Sequence, residues 1–195
     1  MQLDSVCVFC GSSFGNRPEY SDVASALGRS LAQRRITLVY GGGDVGLMGA
    51  TADACLDEGG KVIGVIPVDL LKKEVGHQSL TELLVTTSMH ERKAKMAELS
   101  NGFIVLPGGV GTYEEMCEIL TWNQLGIIAK PLVLLDVAGF YGAFFAMLDQ
   151  ALAEGFIKPE HRELAMRAAT VDEALDKLAA FEPTYVPKWI DLDRS

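Results

Sequence analysis

The stretch FIVLPGGVGTYEEMCE, Phe103 to Glu118, decides how this chain is read. Four consecutive apolar residues, Phe103 to Leu106, run into Pro107-Gly108-Gly109-Val110-Gly111-Thr112, and an acid-bearing helix start follows. A short apolar run that ends in a glycine turn reads as a strand buried on both faces. Strand, tight turn and helix together bring backbone N–H groups, a hydroxyl and carboxylates to one rim of a sheet. Gly108, Gly109 and Gly111 leave their N–H groups unshielded, and Thr112 adds a hydroxyl donor. A helix N-terminus favours an anion by ~0.3–1 kcal/mol when exposed and up to ~2 kcal/mol when partly buried. A turn that needs glycine only for positive φ explains the same string, and the string alone does not decide between the two.

Outward from this stretch the same alternation repeats. Val6–Phe9, Ile36–Tyr40, Val62–Ile66, Leu83–Thr86 and Pro131–Leu135 read as strands. Helices are expected to start within Asn16 to Pro18, with Val23, Ala26, Leu27 and Leu31 at helical spacing, and to run from Gly46 or Leu47 to Glu58. Others are expected from the cap Ser88 to Leu99, from Thr112 to Leu125, from Tyr141 to Ala153, near Pro159–Met166, and from Asp172 to Ala180. Residues 69–82 are less regular. Strands alternating with helices mean βαβ crossovers. The expected fold is therefore α/β, a Rossmann-like, doubly wound, mostly parallel sheet with helices on both faces. It forms one domain over residues 1–181, and residues 182–195 form a surface tail. Ligands of such sheets bind beyond the carboxyl ends of the strands. That rim receives Gly11–Ser13, Gly41–Gly43, Pro107–Thr112 and the segment after Asp136.

Composition narrows the partners. A chain of 195 residues with 49% apolar content can bury a core without disulfide or metal staples. The net charge of −9 argues against nucleic-acid binding, which needs a basic face. It is compatible with one small anion held by a helix N-terminus and a few placed cations. No run approaches the ~20 apolar residues of a membrane helix, so no membrane partner is expected. Gln2, Leu3 and Asp4 do not open a secretory signal, and a cytoplasmic enzyme is expected. Cys7 and Cys10 form a CxxC within and at the end of a strand, where residues three apart face opposite ways. They read as buried thiols. His77, His90 and His161 have no ligand spacing, so no metal site is expected.

Three further patterns bear on chemistry. Gly41-Gly42-Gly43-Asp44-Val45-Gly46 matches the dinucleotide fingerprint, but it follows the second strand, and Pro67 stands where the acidic partner belongs. Close strand–helix packing or phosphate approach explains it better than an NAD site. Glu115 lies three residues after Thr112 and four after Gly111, on their helix face, where a carboxylate faces the sugar of a bound phosphate. Glu118 shares that face one turn on, and Glu114 points about 100° away. Arg92 and Lys93 open a helix against its dipole, which calls for an anion or base nearby, or for a solvated face.

Met89-His90-Glu91-Arg92-Lys93-Ala94-Lys95-Met96, followed by Pro107-Gly108-Gly109-Val110-Gly111-Thr112-Tyr113-Glu114-Glu115, resembles the LONELY GUY family with its PGGxGTxxE signature. The likeness extends to Cys10–Ser13, Tyr40–Gly43, Gly46–Gly49, Leu80–Leu83 and Thr121–Gly126. It implies a cytokinin riboside 5′-monophosphate phosphoribohydrolase, which cleaves a nucleoside 5′-monophosphate to free base and ribose 5-phosphate. It implies a homodimer with the active site near the subunit interface, and neither metal nor cofactor. By resemblance Arg92 and Glu115 are the catalytic pair. Ser12, Gly43, Glu74, Met89, Lys93, Gly108, Gly109, Val110, Gly111, Thr112 and Thr121 are expected at the substrate. Asp136 and Ala138 depart from the family pattern, which bears on base preference. Two rivals stand beside this reading. A non-catalytic carrier of a nucleotide or phosphorylated cofactor shares the fold and the PGGxGT turn. A lysine decarboxylase would need a pyridoxal phosphate lysine, and neither Lys93 nor Lys95 has the partners for one.

Overall fold

In the computed structural model, which describes residues 2–71 and 76–183, strand and helix alternate as expected. The elements are β1 (Ser5–Phe9), α1 (Pro18–Gln33), β2 (Thr37–Tyr40), α2 (Gly46–Asp57), β3 (Val62–Pro67), α3 (Val68–Leu71), β4 (Glu82–Thr86) and α4 (Met89–Leu99). They continue as β5 (Gly102–Val105), α5 (Val110–Gln124), β6 (Leu132–Leu135), α6 (Gly142–Ala153), α7 (Pro159–Arg162), β7 (Ala165–Ala168) and α8 (Val171–Ala180). A short 3-10 turn, Val137–Gly139, precedes α6.

One parallel sheet of seven strands runs in the order β4-β3-β2-β1-β5-β6-β7. The chain winds outward from β1 to β4, returns beside β1 as β5, and winds out the other way. The order therefore reverses between β1 and β5, and the loops leaving those two strands diverge to open a crevice. Strand periodicity explains the layers. Val6, Val8 and Cys10 point into one core with Ala24, Leu27, Leu47, Ala52, Leu175 and Leu178 of α1, α2 and α8. Cys7 and Phe9 point into the other with Met96, Met116, Ile119 and Phe145 of α4, α5 and α6. The CxxC thus straddles the sheet with both thiols buried.

Three features differ from the sequence reading. β7 was not expected, and its first two residues fell at the end of the helix read near Pro159–Met166. Its AMRA sequence has little strand character, and it forms because it adds to the β6 edge. The helix expected from Thr112 begins at Val110, so the glycine turn is shorter and Gly109 is its N-cap. Residues 68–71 form a turn of helix, and Gly76 bridges antiparallel to Gly43. Residues 184–195, most of the expected tail, lie outside the described residues. No helix among the described residues is long and apolar enough to cross a membrane.

Candidate active site

The loops after β1 and β5 are tied together at the sheet's reversal point. Gly11 N–H donates to the Pro107 carbonyl at 3.0 Å, and Leu47 N–H donates to the Gly11 carbonyl at 3.1 Å. Between them opens a cleft of about 280 Å³ lined by Ser12, Ser13, Tyr20, Gly108, Gly109 and Phe140 among others. A larger hollow of about 520 Å³ lies by α1 and α2, but Asp44, Asp53, Asp57 and Glu58 surround its single Arg29, which disfavours an anion.

The glycine turn separates the two readings left open by its sequence. None of Gly108, Gly109 and Gly111 has positive φ. A Cβ on Gly108 would come within 2.2 Å of Thr112 Oγ1 and 2.9 Å of the Gly11 nitrogen, so Gly108 is required by packing. A Cβ on Gly109 or Gly111 would meet nothing within 4 Å. The fold of this chain makes no demand for glycine at those two positions. Their bare N–H groups open the N-terminus of α5 beside exposed Val110 and buried Thr112. Such a terminus is built to receive an anion.

Arg92 and Glu115 meet next to this turn. The Arg92 guanidinium lies 3.8 Å from a Glu115 carboxylate oxygen, with side chains 10% and 12% exposed. The arginine is held by backbone. Its Nε donates to the Val65 carbonyl at 3.1 Å and its Nη2 to the Gly41 carbonyl at 3.4 Å. Among the described residues Nη1 meets the Met89 sulfur at 3.8 Å and keeps donor capacity. Gly41 makes the seat possible, because a Cβ there would lie 2.0 Å from Arg92 Nη2. The glycine run thus serves strand–helix packing and the arginine, and Gly42 and Gly46 supply the positive φ that its turns require. Burial pushes the Glu115 carboxyl up to about 6; Arg92 pulls it down, Glu114 pushes it up, Lys93 pulls it down, and Glu118 pushes it up.

Lys93 is not open to the rim. Its ammonium, 7% exposed, is paired with Glu114 and lies 3.1 Å from Glu118. Glu114 and Glu118 are four residues apart on α5, so both reach one cation. Glu118, on the face of Glu115 one turn further on, thus shares a cation with Glu114. This also gives Glu114 a partner beyond helix-start chemistry, since Glu114 sits past the first turn. Their spacing on α5 was the available signal.

The remaining expected residues divide. Ser12 is exposed on the cleft wall. Met89 is 42% exposed at the start of α4. Gly43 is buried, its backbone engaged in the bridge to Gly76, and it does not line the cleft. Thr121 is not brought to the turn: it is exposed nine residues beyond Thr112, about 13 Å along the helix, and donates to the Cys117 carbonyl. Glu74 lies outside the described residues. Asp136, singled out for base preference, is tied into the scaffold. Its carboxylate accepts from Tyr141 N–H at 2.6 Å and pairs with Arg167. The Tyr141 hydroxyl in turn donates to the Leu106 carbonyl, 2.6 Å away, bracing the strand under the glycine turn.

Comparison with known proteins bears on this arrangement. The sequence model of a family described as possible lysine decarboxylase matches residues 48–178. The chain is 51% identical to the probable cytokinin riboside 5'-monophosphate phosphoribohydrolase LOGL9 of Oryza sativa subsp. japonica, across 91% of this chain and 78% of the relative. It is 48% identical to the cytokinin riboside 5'-monophosphate phosphoribohydrolase LOG5 of Arabidopsis thaliana, over the same shares. Among solved structures, the molybdenum cofactor binding protein of Rippkaea orientalis matches with a TM-score of 0.69 at 21% identity, covering 92% of this chain and 98% of that one. The molybdenum cofactor carrier protein of Chlamydomonas reinhardtii matches with a TM-score of 0.70 at 22% identity, covering 92% and 100%. These distant structures speak for the fold alone. The relatives' identity over nearly the whole chain and the match of the family model make this protein a member of the LONELY GUY family, whose sequence model carries the description possible lysine decarboxylase.

Proposed function

We propose that this protein hydrolyses the N-glycosidic bond of nucleoside 5′-monophosphates, cytokinin riboside 5′-monophosphates and AMP among them, to free base and ribose 5-phosphate. The observation that carries the reading is the buried Glu115 carboxylate held 3.8 Å from Arg92 beside the open N-terminus of α5. Relatives of about half identity bear the name of this activity. The phosphate docks on the N–H groups of Gly109 to Thr112, and its binding energy fixes the ribose over Glu115. As the C1′–N bond breaks, positive charge builds on the sugar, and the Glu115 carboxylate stabilises it. A water attacks C1′. Its oxygen bonds to carbon, and one of its protons passes to the carboxylate. The electron pair of the broken bond leaves with the base, which takes up a proton relayed by water, because an arginine donates hydrogen bonds but not protons at neutral pH. Arg92 Nη1, which among the described residues faces the Met89 thioether, supplies such a hydrogen bond to the leaving base.

A simple carrier needs no carboxylate beside its anion, and an ionised Glu115 would weaken phosphate binding. A homodimer with the site near its interface belongs to the same reading. Its support is that Val110, 82% exposed, Tyr113 and Thr121 lie on the outer side of α5, where a second chain would cover them. The test is incubation with AMP and with isopentenyladenosine monophosphate, followed by chromatography. Free base and ribose 5-phosphate in equal amounts are expected. Tight binding of both nucleotides with no base formed would make the protein a carrier.

A further inference from the structure

We infer that Tyr141 is a positioning residue for the phosphate: anchored through Asp136 to the edge strand β7, its hydroxyl sets the peptide from which the phosphate-binding turn springs. The inference rests on the hydrolase reading for the place of the phosphate on Gly109 to Thr112. The hydrogen bonds that carry it stand without that reading.

The chain of contacts begins at the sheet edge. Arg167 of β7 donates from Nε to Asp136 Oδ2 at 2.8 Å and from Nη2 to the same oxygen. Its guanidinium lies over the Phe145 ring, 5.3 Å from the centroid. Asp136 N–H donates to the Ala168 carbonyl at 2.8 Å, so this residue is tied to β7 by backbone and side chain alike. The other carboxylate oxygen, Oδ1, accepts from Tyr141 N–H at 2.6 Å. The Tyr141 side chain is fully buried, and its hydroxyl donates to the Leu106 carbonyl at 2.6 Å.

That last contact falls on a particular peptide. Because residue 107 is proline, the peptide joining Leu106 to Pro107 has no N–H, and its carbonyl is its one hydrogen-bonding group. Tyr141 therefore holds the plane of the peptide just before the glycine turn. Leu106 N–H, on the preceding peptide, is fixed by the Phe9 carbonyl at 2.9 Å, and the Pro107 carbonyl beyond accepts from Gly11. A rotation about the Leu106 peptide would swing Pro107 and Gly108, and with them the N–H groups that open α5.

The backbone between Asp136 and Tyr141 points the same way. Ala138 has φ 52°, in the left-handed region that a residue with a Cβ seldom adopts, and Gly139 has φ 73°. Such a conformation persists where its surroundings impose it, and it marks functional sites. The Asp136–Tyr141 hydrogen bond closes this turn. The turn delivers two consecutive aromatic residues, Phe140 to the cleft wall beside Gly108 and Gly109, and Tyr141 to the Leu106 carbonyl. β7, whose sequence has little strand character, thereby gains a task in holding Asp136.

The experiment measures the Kd of ribose 5-phosphate by calorimetry, which needs no turnover, beside kcat and KM for AMP across pH. Tyr141→Phe keeps the ring and removes the hydroxyl. It should raise the Kd about tenfold and KM by a similar factor, with kcat changed by less than about threefold, because a phosphate contact serves ground and transition state alike. The acid limb of kcat should stay in place, since Glu115 is not moved. Asp136→Asn keeps an oxygen for Tyr141 N–H and should hold the Kd within about twofold, whereas Asp136→Ala should weaken binding as Tyr141→Phe does. A merely structural role would lower the melting temperature of Tyr141→Phe and leave its Kd and KM at wild-type values, and that result overturns the inference. So does a wild-type protein that binds no ribose 5-phosphate, or an Asp136→Asn variant as weak as Asp136→Ala. Ribose 5-phosphate binding that weakens in Tyr141→Phe, in a protein that releases no base from AMP, would uphold the inference and count against the hydrolase reading.

Discussion

At the scale of single residues, the site depends on one atom that is missing. Gly41 leaves the space that Arg92 Nη2 fills, since a Cβ would stand 2.0 Å away. Gly41→Ala must push the guanidinium off the Gly41 and Val65 carbonyls. Misplacement of about 1 Å costs on the order of 100-fold in rate, so that loss in kcat for AMP is expected with an unchanged far-ultraviolet circular dichroism spectrum. Glu115 makes a second prediction. Its folded pKa, about 6, lies above that of an unfolded glutamate. Its contribution to stability is therefore fully present below the unfolded value and is lost as pH rises through about 6. Relative to the wild type, Glu115→Gln should gain about 2 kcal/mol between pH 4 and pH 7 in urea unfolding. Base release should fall away below about pH 6 as the carboxyl takes up its proton. The Arg92–Glu115 pairing was legible because both residues stand in short, specific motifs. Which of three acids Lys93 would choose was not, because spacing gives helix faces and not the azimuth at which two helices meet.

At the scale of elements, the start of α4 carries the arginine and is fixed by local chemistry. Ser88 Oγ accepts from Glu91 N–H at 3.1 Å, and the Glu91 carboxylate accepts from Thr87 N–H at 2.7 Å. This closely follows the capping-box pattern and was readable from Ser88 in the sequence. Ser88→Ala should cost about 1 kcal/mol in chemical denaturation. The helix start capped by Ser88 was placed well. β7 was not, because Ala165 to Ala168 owes its strand form to pairing with β6 and to the Arg167–Asp136 contact. Tertiary partners of that kind leave no local trace in four residues. The start of α5 was set two residues late for a related reason. Gly109 and Gly111 read as turn residues, yet they lie at the cap and inside the first turn, where nothing in the chain itself asks for glycine.

At the scale of the whole molecule, the parallel α/β sheet followed from alternation alone, while its order did not. The reversal between β1 and β5 is what sets the Ser12 loop against Gly108 and makes a crevice of two distant loops. No periodicity encodes which neighbour β5 will choose. The exposed outer side of α5 leads to a prediction at this scale. If two copies pack there, association stabilises the fold by mass action. Light scattering should give twice the chain mass, and the melting temperature should rise with protein concentration. A chain mass equal to one copy and a melting temperature independent of concentration would remove the dimer from the account.

The central claim is that Glu115, set beside Arg92 over the open end of α5, turns a nucleotide-binding crevice into a hydrolase. A single-turnover experiment with enzyme in excess over isopentenyladenosine monophosphate tests it most directly. Wild-type protein should convert all bound nucleotide to free base and ribose 5-phosphate. Glu115→Gln should bind the nucleotide with similar affinity and slow its cleavage by at least about 100-fold. Cleavage by Glu115→Gln at the wild-type rate, or intact nucleotide recovered from the wild type, would contradict it.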